Sequence, residues 1–178
     1  MKNEFTIVAA YQWENKKSKK SNSYLAIKTL TNQIIKRFSG KKNENDFYNI
    51  SYRRLRGSAG DTLLSSITKR IFNAQIVIID LTDGNPNVYI EAGIAISLLI
   101  QRREFYSVYF IRKKITDSPL PSGIPSDLHG YFISEYSIDN KGTVVFNDNN
   151  SLRMSIESDV KTYFNSRNQK FEQVNEIE

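Results

Sequence analysis

A doubly wound α/β fold is predicted by three features of the sequence. Short β-branched apolar runs alternate with segments whose apolar residues recur at helical spacing. The most strand-like run, Gln75–Leu81 (QIVIIDL), is apolar on both faces, as a central parallel strand must be. Turn-forming clusters of Gly, Pro, Asn and Asp separate the two kinds of segment. Strand–helix–strand alternation implies parallel pairing with right-handed crossovers.

The elements follow in order. Phe5–Tyr11 (FTIVAAY) is a short apolar run with the pattern of a buried strand. After a Lys/Ser/Asn-rich loop, Ile27, Leu30, Ile34 and Phe38 mark one helical face, closed by Ser39 and Gly40. Tyr48, Ile50 and Tyr52 alternate with Asn49, Ser51 and Arg53, which predicts a half-exposed strand near a sheet edge. The turn Gly57–Asp61 precedes a helix marked by Leu64, Ile67 and Ile71 and ending near Asn73. Asp83–Asn87 is dense in turn formers, and Val88–Arg103 reads as the next helix. Ser107–Ile111 and Tyr131–Ser134 read as the fourth and fifth strands, joined by a loop holding three of the four prolines. Thr143–Phe146 is a candidate extra edge strand, and Leu152, Ile156, Val160 and Phe164 mark a C-terminal amphipathic helix. The expected architecture is a flavodoxin-like, mostly parallel five-stranded sheet of order 2-1-3-4-5, with helices on both faces and a C-terminal helix. Residues 1–164 form a single domain in this reading, and 165–178 a frayed or partner-bound tail.

Composition removes several function classes. The 178 residues include no Cys and one His, His129. Disulfide scaffolds, thiolate metal sites, cysteine nucleophiles and multi-histidine zinc sites are excluded. No metal or bound cofactor is expected. No apolar run approaches the roughly 20 residues of a membrane span, and Met1–Glu4 leads directly into a strand without a signal-peptide apolar region. The expectation is a cytoplasmic protein without a membrane partner. The net charge of +6 is concentrated in Lys16, Lys17, Lys19 and Lys20, in Arg53, Arg54 and Arg56, and in Arg112, Lys113 and Lys114. Such clusters neutralise phosphates. They fit a small anionic nucleotide as well as a nucleic acid, and they are also what solvated loops look like.

In a doubly wound sheet, ligands bind beyond the carboxyl ends of the strands, where strand order reverses. The loops starting at Tyr11, Leu55, Leu81 and Ile111 lie on that rim. The informative stretch is Ala74–Leu98, AQIVIIDLTDGNPNVYIEAGIAISL. Glu91 is the only charged residue between Gly84 and Arg102, among helix neighbours expected to be buried. The helix dipole favours its carboxylate, whereas desolvation raises its pKa. It either accepts backbone N–H bonds, as in a capping arrangement, or serves a ligand, and its place beside the rim favours the ligand. Asp80 either orders the loop that follows or meets the ligand. Of Asn85 and Asn87, one is expected to cap the helix, and either amide fits a ribose hydroxyl. Gly57–Gly60, with the Ser58 hydroxyl, either cradles a phosphate or is a plain turn, and it lacks the Lys of a P-loop. Arg54 and Arg56 suit a 5′-phosphate or pyrophosphate. Tyr11, Gln12 and Trp13 leave the first strand at the same rim, where an aromatic either stacks on a base or packs. His129 reads as a loop hydrogen-bonding residue.

Ala74–Leu98 resembles the pattern A-x-(apolar)-D-L-T-x-x-N-P-N-V-x-x-E-x-G-x-A of the nucleoside 2-deoxyribosyltransferase-like superfamily, in particular its bacterial TIR-like, nucleotide-binding branch. The resemblance covers about 25 residues, and Asp127–Tyr131 is similar to that branch's late loop and strand. It implies that Glu91 is the catalytic glutamate, attacking or stabilising the anomeric carbon of a ribosyl or deoxyribosyl group. The deoxyribosyltransferases carry an aspartate six residues before that acid; here the position is Asn85, and Ala92 replaces the usual Leu. The departure at Asn85 disfavours base transfer and favours N-glycosidic hydrolysis, NAD cleavage or binding without turnover. The resemblance further implies an effector of anti-phage defence, acting as a homo-oligomer or with a regulatory protein partner. The expected function is cleavage of the base–ribose bond of NAD or a nucleoside 5′-monophosphate, as substrate rather than cofactor; the alternative is a non-catalytic nucleotide sensor. The expected site comprises Glu91 with Tyr11, Gln12, Arg54, Ser58, Asp80, Asn85 and Asn87.

Overall fold

Ile76–Asp80 (β3) is buried along its whole length, because a strand of β-branched residues has no polar face to turn to water. The computed structural model describes residues 4–12, 22–39, 49–55, 63–101, 104–114, 128, 130–148 and 150–175. Around β3 stand Glu4–Ala10 (β1), Asn49–Arg54 (β2), Ser107–Lys113 (β4), Ile133–Ile138 (β5) and Val144–Phe146 (β6). The helices are Asn22–Ser39 (α1), Leu63–Asn73 (α2), Pro86–Gln101 (α3) and Ser151–Asn175 (α4). The sheet order is β2-β1-β3-β4-β5-β6, with the first five strands parallel and β6 antiparallel to β5.

The α/β class, the parallel core and the order 2-1-3-4-5 agree with the sequence reading, but the sheet has six strands rather than five. The sixth follows from a tight turn. Asp139 Oδ1 accepts the N–H groups of Lys141 at 2.9 Å and Thr143 at 2.8 Å, and Gly142 takes a positive φ of 78°. A connection this short permits only an antiparallel return.

Strand parity divides the core into two layers. Phe5, Ile7 and Ala9 of β1, with Tyr11 just after it, pack with α1 and α4. Val8 and Ala10 pack with Ile67 and Ile71 of α2 and with Val88, Ala92 and Ala95 of α3. The α4 helix docks through Leu152, Ile156, Val160, Tyr163 and Phe164, the stripe expected from spacing. Its start is tied to the sheet by Asp148, whose Oδ2 accepts the Leu152 N–H at 3.1 Å and the Ser134 hydroxyl at 2.7 Å. The helix runs on through Asn175, into the residues expected to form a frayed or partner-bound tail. No Gly or Pro stands between Leu152 and Asn175 to end it.

Two neighbours on α4 test this packing. Ile156 is fully buried, whereas Met154 is 63% exposed. Ile156→Ala is expected to cost about 2–5 kcal/mol in urea unfolding, and Met154→Ala less than about 0.5 kcal/mol.

Candidate functional site at the carboxyl rim

The chain leaves β1 toward β2 in one direction and β3 toward β4 in the other, so the strand order reverses between β1 and β3. The crevice of a doubly wound sheet opens there. Tyr11 and Gln12 stand at the end of β1, and Leu81–Asn85 lead from β3 into α3.

Asp80 organises this link from below. It is 3% exposed. Its Oδ1 accepts the Thr82 N–H at 2.8 Å and the Thr82 hydroxyl, and its Oδ2 accepts the Tyr136 hydroxyl at 2.9 Å. Ser23 of α1 also bonds the carboxylate. The Thr82 hydroxyl in turn accepts the Lys113 N–H at 2.8 Å. Burial pushes the Asp80 carboxyl up, opposed by its bonds to Thr82, Tyr136 and Ser23. Of the two roles open to Asp80, this geometry is the loop-ordering one. The ligand-contacting role differs from what is found, because the carboxylate points inward and its oxygens are occupied. Sequence reasoning missed Thr82, Tyr136 and Ser23 as partners. The D-L-T spacing was the available signal for Thr82, since an Asp two residues before an N–H donor forms an Asx turn.

Asn85 caps α3. Its Oδ1 accepts the Asn87 N–H at 2.8 Å, while its carbonyl accepts the first helical bond from Tyr89 at 3.2 Å. Pro86 then occupies the first helical position, where a missing N–H is harmless. Gly84 turns the chain with φ of 62°, a backbone state that side chains disfavour. Asn87 is exposed on the first turn.

Glu91 lies in the second turn of α3 and is half-buried. It stands too far along the helix to cap it, since a capping-box acid belongs at the third helical position, here Val88. Among the described residues its carboxylate has no hydrogen-bond or ion-pair partner. Burial pushes the carboxyl up to about 7. The dipole of α3 acts in the opposite sense and is the weaker effect.

The remaining expected residues separate into two groups. The Arg54 guanidinium lies 4.6 Å from the centroid of the Tyr11 ring. This pair sits on the α1/α4 side of the sheet, the side opposite α3. Tyr11 is 4% exposed and packed, which differs from an aromatic free to stack on a base. Gln12 is half-buried at the rim. Ser58, with Trp13, Arg56, Gly57, Gly60, His129 and the lysine cluster, falls outside the described residues. Of two cavities lined by described residues, one of about 300 Å³ borders the amino-terminal ends of β1, β3 and β4 and one of about 470 Å³ lies between α2 and the β1–β2 edge; neither includes an expected site residue. Among the described residues no group of His, Asp and Glu could hold a metal ion, and no helix is long and apolar enough to cross a membrane. Comparison of the chain with family models, curated proteins and solved structures finds no match.

The raised pKa of Glu91 has a thermodynamic signature. Its folded value lies above its ordinary one of 4.5, so the native state binds the proton more tightly and loses stability as pH rises from about 4.5 to about 7. Glu91→Gln is expected to remove this decline and to be more stable than the parent at pH 8, by about 1–2 kcal/mol after discounting for partial exposure. Thermal unfolding of both proteins at pH 5 and pH 8 measures it.

Proposed function

We propose that the protein is an N-glycosidase-type hydrolase that cleaves the base–ribose bond of a nucleotide, with Glu91 as the catalytic residue. The observation that carries this reading is a half-buried carboxylate, unpaired among the described residues, in the second turn of the helix beside the strand-order reversal. The sequence resemblance to the nucleoside 2-deoxyribosyltransferase-like superfamily supports the same residue in the same role.

The chemistry follows from what Glu91 is and what it lacks. Breaking the C1′–N bond sends both electrons to the departing base and leaves an oxocarbenium-like sugar. A nearby carboxylate stabilises that cation or captures C1′ as an ester. Water then adds at C1′ and gives up a proton, and the ester, where formed, returns the free carboxylate. Two-carboxylate glycosidases assign a second acid to protonating the leaving group. Here Asp80 is sequestered by Thr82, Tyr136 and Ser23, and the amide of Asn85 caps the helix. A base that leaves without needing a proton suits such a site. The pyridinium of NAD departs as neutral nicotinamide, which favours NAD over a nucleoside 5′-monophosphate.

A second reading, recognition of a nucleotide without turnover, draws support from that same absence of a second acid at the described rim. Incubation with NAD, AMP, dAMP and dCMP, followed by chromatography, separates the two. Release of nicotinamide or a free base is expected for the hydrolase; thermal stabilisation by ligand without release is the result for the sensor. Glu91→Gln is expected to lower turnover by about two to four decades. Because the ionised carboxylate does the work, kcat/KM is expected to rise with pH to a plateau above about 7, following the free-enzyme pKa of Glu91. Wild-type rates in Glu91→Gln would remove Glu91 from the mechanism.

A further inference from the structure

From the cavity between α2 and the β1–β2 pair we propose a second small-molecule site, one that takes a phosphorylated sugar carrying no base. The cavity follows from the patterning of α2. Ile67 and Ile71, with Ala74 just after the helix, form its apolar stripe and enter the core. Beside that stripe runs a polar one: counted from Ser66, the residues Lys69, Arg70 and Asn73 lie three, four and seven positions on, so they share a face. A surface helix normally turns such a face to water. Here it overhangs the sheet, because Glu4, Thr6 and Val8 of β1 and Arg53 of β2 have the parity of the α2 side. The space between helix and strands is about 470 Å³, within the roughly 300–1,000 Å³ of small-molecule pockets.

The charge of the lining selects a phosphate. Three cations, Arg53, Lys69 and Arg70, face one carboxylate, Glu4. That carboxylate is already met, by the Arg53 guanidinium at 3.0 Å and by Ser51. Arg70 donates to the Arg54 carbonyl at 3.1 Å, a bond that holds its planar fork beside the cavity. No described carboxylate pairs with Lys69. The cavity therefore keeps a positive surplus, which a phosphomonoester, close to dianionic at neutral pH, neutralises. A carboxylate ligand is satisfied by a single guanidinium fork. A phosphate asks for donors from several directions, and here they come from a helix and from a strand. Ser66 is 4% exposed, so its hydroxyl belongs to the interior of the recess and not to the surface.

The rest of the lining selects what the phosphate is attached to. The space exceeds what an inorganic phosphate fills, so an organic part accompanies it. Val8 is the one apolar residue among the described lining, and none of the described lining is aromatic. A nucleobase finds no ring to stack on there. A polyhydroxylated sugar finds hydroxyl and amide partners in Thr6, Ser66 and Asn73. Nucleic acid fits less well, because its backbone calls for a basic stripe along an open face, whereas these cations converge on one recess. Glu91 and the other residues of the carboxyl rim take no part in the lining. The second site therefore stands or falls separately from the glycosidase reading.

Isothermal titration calorimetry of the full chain with ribose 5-phosphate, ribose and inorganic phosphate tests this. Saturable binding of ribose 5-phosphate is expected, with ribose and inorganic phosphate each weaker by roughly 10-fold or more. Lys69 is exposed, so Lys69→Glu is expected to fold like the parent and to weaken ribose 5-phosphate by roughly 10-fold or more. Lys69→Arg, which keeps the charge, is expected to stay within about 3-fold of the parent affinity. Absence of binding at about 10 mM ribose 5-phosphate, binding indifferent to Lys69→Glu, or equally tight binding of inorganic phosphate overturns the proposal. So does tighter, steeply salt-dependent binding of a DNA oligonucleotide that Lys69→Glu abolishes.

Discussion

The arrangement at the rim depends on a single buried carboxylate. Asp80 closes the most buried strand, and removing its charge from water is costly unless its oxygens are met. They are met from three directions: from Thr82 two residues on, from Tyr136 on β5 and from Ser23 on α1. Each bond restores part of the lost hydration and fixes an element that sequence leaves distant. Thr82 then accepts the backbone N–H of Lys113 at the end of β4. One acid thus ties together β3, β4, β5 and α1. The link from Thr82 to Asn85 starts from that fixed point and ends at the α3 cap, so the same network sets where Glu91 stands.

Asp80 and Glu91 form a contrast in how burial is managed. Both carboxyls are pushed upward by desolvation. Asp80 has its own hydroxyl and amide donors; Glu91 has none among the described residues. The first arrangement stabilises a fold, whereas the second stores an unmet demand for positive charge. A cation brought to Glu91 would relieve that demand and pull its pKa down, which is the electrostatic basis of the activity proposed above.

The layered sheet was largely legible because periodicity is local. β3 announced itself by having no polar face, and α3 by the cap, Pro and apolar run that follow one another within a few residues. What was missed is non-local or depends on a missing signal. Tyr136 lies 56 residues from Asp80 in sequence, and no pattern within either segment records that they meet. β6 was visible only as a candidate at Thr143–Phe146, because three residues are too few for alternation to fix a partner, and its pairing is decided by the turn before it. For the site, Glu91 was visible as a solitary charge in an apolar helix. The inward turn of Asp80 was not, since an acid at a strand end reads identically in either role.

Strand parity imposes one last constraint on anything bound at the rim. Side chains alternate along a strand with a period of two, so Tyr11 and Arg54, which follow the parity of Phe5 and Ile50, are committed to the α1/α4 side. Glu91 is committed to the other side, by the path of the β3–α3 crossover. A cation held on an aromatic ring and a carboxylate unpaired among the described residues therefore flank the carboxyl ends of β1 and β3 from opposite faces. No rotamer change brings them onto one side, because each position is set by backbone register. A ligand that engages both must pass over the strand ends, its anionic part toward Arg54 and its electron-poor centre toward Glu91. An elongated nucleotide with its phosphates well separated from the scissile bond meets that demand, and a compact nucleoside does not.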